Sequence, residues 1–139
     1  TGEYAEVAGT PMDFTTPERI GQDIDADFQQ LKFTGGYDHN YVTDNYAKGS
    51  NRLIATAYSD KSKIAMDVTS DCPCVQFYAA NFVDNEKGKG GHIYNKREAF
   101  CLETQVEPNA VNTENFHSPV LEAGEQYDSN TSYRFYIKD

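Results

Sequence analysis

Tryptophan is absent from this 139-residue chain, cysteine occurs three times, and twelve Lys and Arg stand against twenty-two Asp and Glu. Each shortage excludes something. A net charge of -10 leaves no cluster of cations for a phosphate backbone, so no nucleic-acid partner is expected. No apolar run nears the roughly 18 residues of a membrane-spanning helix, so no membrane partner is expected either. Three cysteines are an odd number and too few for a disulfide scaffold. Free thiols in a reducing, cytoplasmic compartment are the expectation. What is present is one domain's length of acidic chain carrying ten Tyr and eight Phe.

Residues Thr1 to Ile20 lack a helical period and carry Gly2, Gly9, Pro11 and Pro17, which predicts an extended lead-in. Ile24, Phe28 and Leu31 are spaced by four and three, which predicts a short helix over Asp23 to Phe33 with acidic residues in its first turn. Gly35-Gly36 ends it. The rest reads as strands over Tyr37–Thr43, Arg52–Tyr58, Lys63–Thr69, Cys74–Phe82, Glu98–Val106 and Thr131–Ile137. These runs are rich in Val, Ile, Tyr, Phe and Thr and are bounded by turn residues. Ile64, Met66 and Val68 alternate with Ala65, Asp67 and Thr69, the pattern of a sheet with one buried face. Ser59 to Ser62 reads as a hairpin connection and Asp84 to Gly91 as a solvated loop. The fold class is all-β, an antiparallel sandwich.

Most apparent motifs fail on spacing. Asp23, Asp25 and Asp27 imitate a calcium loop, but Phe28 and Thr34 stand where a glycine and a bidentate glutamate are needed. Cys72-Pro73-Cys74 with a distant Cys101 lacks the second ligand pair of a zinc site, so no metal is expected. Gly88 to Gly91 lacks the ending of a phosphate loop, and Asn130-Thr131-Ser132 is read as a chance glycosylation triplet. The strand carboxylates carry more. Alternation over Ala99 to Val106 puts Phe100, Leu102, Thr104 and Val106 on one face and Ala99, Cys101, Glu103 and Gln105 on the other. The second face is small and polar, like a cleft wall. The same parity puts Gln76 with Tyr78, opposite Val75 and Phe77, and Asp38 follows the Gly-Gly turn. Ordinary solvent-facing carboxylates and site residues both fit this pattern.

Gly36-Tyr37-Asp38-His39-Asn40, Val75-Gln76-Phe77-Tyr78 with Asn81-Phe82, and Leu102-Glu103-Thr104-Gln105 together resemble the galactose mutarotase (aldose 1-epimerase) family. The segments Gly9 to Phe14, Asn115 to Leu121, Gly124 to Tyr127 and Thr131 with Tyr133-Arg134-Phe135 extend the likeness in order. Family chains are more than twice this length, so the resemblance implies the C-terminal part of a large twisted β-sandwich over residues 1–139. It implies Glu103 as the general base at the anomeric hydroxyl, Asp38 as the carboxylate holding sugar hydroxyls, and Gln76 as a polar contact to the sugar. The family's acid is a histidine of the N-terminal part, and none of His39, His92 and His117 matches it. Ala79-Ala80 departs from the family's usual Thr-Gly, a change that keeps both positions small. The implied reaction interconverts α and β anomers of galactose or glucose through the open aldehyde, with no cofactor. A carboxylate doing this work is expected in a partly dry cleft. A segment of this kind is expected to be inactive alone, and to dimerise or associate with the N-terminal half of the protein. The competing reading is a non-catalytic carbohydrate-binding sandwich, which suits the aromatic content but has no use for a base.

Overall fold

The computed structural model describes residues 2–138. It holds one α-helix, α1 (Gln29–Thr34), and strands β1 (Asp38–Val42), β2 (Arg52–Tyr58), β3 (Ile64–Ser70), β4 (Cys74–Tyr78), β5 (Glu86–Lys87), β6 (Ile93–Tyr94), β7 (Cys101–Gln105) and β8 (Thr131–Ile137). The strands form sheets in the orders β1-β4-β7, β2-β3-β8 and β5-β6. The chain divides into two compact units, one of residues up to His39 with Phe77–Cys101, the other of Asn40–Gln76 with residues 102–138.

The first unit is built on an aromatic cluster. Tyr37 is 1% exposed and stacks on Phe77 at 5.3 Å, while Phe14 meets both rings edge-on at 5.0 and 5.5 Å. Each such pair adds about 0.5–1.5 kcal/mol beyond the area it buries. The Tyr37 hydroxyl donates to the Pro11 carbonyl at 2.8 Å, which ties the lead-in to the cluster. Burial, aided by the charges of Asp23 and Glu18, pushes that phenol up to about 12. Residues 2–20 contain neither helix nor strand.

The helix differs from the sequence expectation: it begins at Gln29, capped by Phe28, and has no acidic residue in its first turn. The three aspartates precede it in turns, where two are taken up by cations. Asp25 receives both terminal nitrogens of Arg97 at 2.6 Å, and Asp27 pairs with Lys32. The helix ends as expected, with Gly35 left-handed at φ 63° and its N–H bonded to the Leu31 carbonyl. Asp84 to Gly91 is more ordered than a plain loop, because Glu86 and Lys87 pair with Tyr94 and Ile93.

In the second unit β3 is central, antiparallel to β2 and to β8. Arg52–Tyr58 and Thr131–Ile137 match the expected strands to the residue. The turn between β2 and β3 closes with Ser59 N–H on the Ile64 carbonyl and Lys63 N–H on the Ser59 carbonyl, both at 2.9 Å. Burial along β3 corrects the simple alternation: Ala65, Val68 and Ser70 are fully buried, whereas Ile64 is 46% exposed. The register explains it. Ile64 faces Ile137 and Met66 faces Phe135, and Ile137 and Phe135 are each 66% exposed, so this face is covered only near Val68.

Candidate functional site

Within the second unit, Gln76 lies on β4 and Glu103 on β7, neighbouring strands of one sheet. The directions of β1 and β4 follow from two bonds, Thr43 N–H to the Pro73 carbonyl and Ala79 N–H to the Tyr37 carbonyl, each 2.9 Å. That is an antiparallel pair, and stepping inward from Thr43 and Pro73 sets Asn40 opposite Gln76. Gln105 Nε2 reaches the Asn40 Oδ1 at 3.0 Å from the far side of β4. Gln105, Gln76 and Asn40 therefore share one face, and Glu103, two residues before Gln105, leaves β7 on that same face. The opposite side of β7 packs inward. Thr104 Oγ1 lies 2.6 Å from Thr131 Oγ1, which in turn lies 3.1 Å from Ser70 Oγ, and Tyr133 donates to the Leu102 carbonyl at 2.7 Å.

The strand is thus anchored through its even-numbered residues, and its odd-numbered carboxylate stands free of them. Glu103 is exposed, and no hydrogen bond or ion pair holds it among the described residues. In this chain the carboxylate therefore lies in water, unlike the partly dry setting expected of a base.

Asp38 belongs to the first unit, at the start of β1 and half-buried. Gly36 shapes its approach: its φ is 135°, and a side chain there would overlap Asn81, which is 6% exposed and donates Nδ2 to the Tyr37 carbonyl at 2.8 Å. His39 follows Asp38 but points to the other face of β1, and its Nδ1 accepts the Asp38 N–H at 3.1 Å. Burial holds the His39 imidazole below its ordinary value of 6.5, against the opposing pull of the Gln30 carbonyl and the Asp38 charge.

No group of three or more His, Cys, Asp or Glu among the described residues could hold a metal ion. The cysteines are free thiols. Cys74 is fully buried, and desolvation pushes its thiol up to about 11, which leaves it protonated and unreactive at neutral pH. One cluster escaped the sequence reading: Glu107, 3% exposed, takes the His117 ring Nδ1 at 2.9 and 3.1 Å. His117 falls in the segment Asn115 to Leu121, but nothing in the sequence joins it to Glu107, ten residues away across a 3-10 turn at Ala110–Asn112.

The family model described as Aldose 1-epimerase matches residues 1–134 of this chain. The chain belongs to the aldose 1-epimerase family. Galactose mutarotase of Bos taurus is 39% identical over 140 residues, a match covering 99% of this chain and 38% of the bovine protein. Aldose 1-epimerase of Escherichia coli (strain K12) is 33% identical over 132 residues, covering 93% of this chain and 37% of the bacterial protein. The crystal structure of the GalM/aldose epimerase homologue from C. elegans overlays the whole chain on 40% of its own length, with a TM-score of 0.79 at 24% identity. An aldose epimerase fold and a mostly antiparallel strand architecture therefore hold together in this chain. The chain spans less than two-fifths of the curated relatives it matches.

Proposed function

We propose that this chain carries the base of an aldose 1-epimerase that interconverts the α and β anomers of galactose or glucose. Its residues correspond to the C-terminal part of such an enzyme. Glu103 takes the proton from the anomeric hydroxyl as the bond between the anomeric carbon and the ring oxygen breaks. An acid delivers a proton to that ring oxygen, which leaves the open aldehyde. Rotation about the bond from the aldehyde carbon to its neighbour presents the other face, and the two proton transfers reverse to close the ring. Asp38 accepts hydrogen bonds from sugar hydroxyls, and Gln76 adds a polar contact on the face from which Glu103 projects.

The observation that supports this reading best is the arrangement of β7. Thr104 and Leu102 are fastened on one side while Glu103 projects on the other, beside the row of Gln105, Gln76 and Asn40. A base must be held by its backbone yet left free at its carboxylate. The acid comes from elsewhere in the family fold, because the histidines here are otherwise placed. His39 turns to the buried face, His117 is paired with Glu107, and His92 lies 3.4 Å from Glu98.

Glu103→Gln in the enzyme carrying this chain tests the assignment. The substitution keeps shape and removes basicity, so turnover on freshly dissolved α-galactose should fall about 100- to 10,000-fold while calorimetric sugar affinity changes little. Unchanged turnover by polarimetry would remove Glu103 from the mechanism.

A further inference from the structure

Glu107 is a buried carboxylate that the proposed chemistry does not use. Its side chain is 2% exposed, and a charge in such a place persists only where donors surround it. Here the donors come from two directions. The His117 ring nitrogen and the His117 backbone N–H, the latter at 3.2 Å, both meet its oxygens. From β4, the thiol of Cys74 lies against both Glu107 and the side chain of Asn40. Asn40 in turn takes the amide of Gln105, the last residue of β7. A continuous line of polar contacts therefore runs from the 113–118 segment through a buried carboxylate to the strand end beside Glu103.

The outer end of this line is also held. The Tyr46 ring meets the His117 ring edge-on at 4.7 Å, and the Arg52 guanidinium lies 5.3 Å from the Tyr46 centroid. Arg52 is itself fixed by the carbonyls of Asp44, Ser70 and Cys72 at 3.0, 3.2 and 3.0 Å, and by Thr43 Oγ1.

We propose that Glu107 and His117 are positioning residues: their pairing clamps the chain just beyond β7 and, through Cys74 and Asn40, fixes Gln105 and hence the place at which Glu103 is presented. This rests on the reading of Glu103 as the base, because that reading gives the placement its purpose. The contacts themselves do not depend on it.

The test is nuclear magnetic resonance on the labelled 139-residue chain and its Glu107→Gln and His117→Asn variants. The His117 backbone amide reports whether the clamp has opened, and the amides of β2, β3 and β8 report whether the fold survives. The decisive signals are the side-chain amide protons of Gln105 and the backbone amide of Glu103. In Glu107→Gln, the Gln105 side-chain protons should exchange with water at least about five-fold faster and the Glu103 backbone amide signal should move. His117→Asn should act in the same direction, and Glu107→Asp should restore part of the parent behaviour. If the His117 amide shifts while Gln105 and Glu103 keep their parent signals, the positioning role is overturned. Should Glu107→Gln not fold, His117→Asn decides by the same criteria, since it removes the ring and leaves the carboxylate with its thiol and backbone contacts. The comparison needs no turnover, so it is separable from the base assignment. Responsive Gln105 and Glu103 signals with a fully active Glu103→Gln enzyme would uphold the clamp and remove the base.

Discussion

Gly36→Ala is the most informative single substitution in the first unit. Gly36 is buried, its φ of 135° is one that L side chains rarely adopt, and the added methyl would overlap the Asn81 carboxamide. It would stand 2.9 Å from Asn81 Cγ and 3.1 Å from Ile24 Cγ1, with the Oδ1 atom closer still. Asn81 can yield only by giving up its bond to the Tyr37 carbonyl in a buried place, which costs about 1–3 kcal/mol. The backbone strain adds about 1–3 kcal/mol. A loss of roughly 2–6 kcal/mol follows, a large share of the 5–15 kcal/mol typical of a domain. At about 2–4 °C per kcal/mol, the melting temperature should drop by roughly 4–24 °C. Urea unfolding followed by circular dichroism should show a lower midpoint with an unchanged slope. The mechanism has its own control. Asn81→Ala removes the obstructing carboxamide, so Gly36→Ala should cost at least about 1 kcal/mol less in that background. A Gly36→Ala protein within about 0.5 kcal/mol of the parent, or a penalty unchanged by Asn81→Ala, would refute the steric argument.

Ala80 has φ 51°, so Ala80→Gly should stabilise the chain by about 0.5–1 kcal/mol in the same urea assay, and a loss of stability would mean the methyl contributes packing that outweighs the strain. His39 is held neutral by burial, so its folded value lies below the unfolded one, and its contribution to stability is full above about pH 6.5 and declines as pH falls toward the folded value. Unfolding free energies at pH 7.5 and 5.5 should therefore differ less in His39→Gln than in the parent, and equal differences would contradict the burial argument. Asp38→Ala should weaken sugar binding by about 1.5–3 kcal/mol along with slowing turnover, whereas unchanged affinity by calorimetry would make Asp38 a turn residue.

Strand identity was legible because β2, β3 and β8 are runs of branched and aromatic residues between turns, and such runs fit little else. The helix start was not legible. Ile24 and Phe28 fall on a helical spacing, yet the aspartates between them are drawn into turns by Arg97 and Lys32, partners that no local pattern could indicate. Parity located Gln76 and Glu103 on the correct sides of their strands, since alternation is enforced by the backbone itself. Parity could not tell that Glu103 would be exposed, because exposure depends on what covers the face. Ala80 shows a different limit: its size suits the spot, but its left-handed torsion, which glycine adopts without strain, is invisible in a comparison of volumes. Glu107 and His117 met across an irregular loop, where sequence separation carries no geometric meaning.

The central position of β3 has a kinetic consequence. Its partner on one side, β2, is reached through a short turn, so that hairpin can close on a microsecond scale. Its partner on the other side is far along the chain: Asp67 and Tyr136, bonded at 3.2 Å, are 69 residues apart. Until β8 arrives, one edge of β3 has no ladder, and Ala65, Val68 and Ser70 lack part of the cover that makes them fully buried. Loop closure of that length must be met before any β3–β8 pairing energy is gained, which makes β8 docking slower than closure of the β2–β3 hairpin. During synthesis β2 and β3 emerge well before β8, so the open edge of β3 is the surface a chaperone would have to guard.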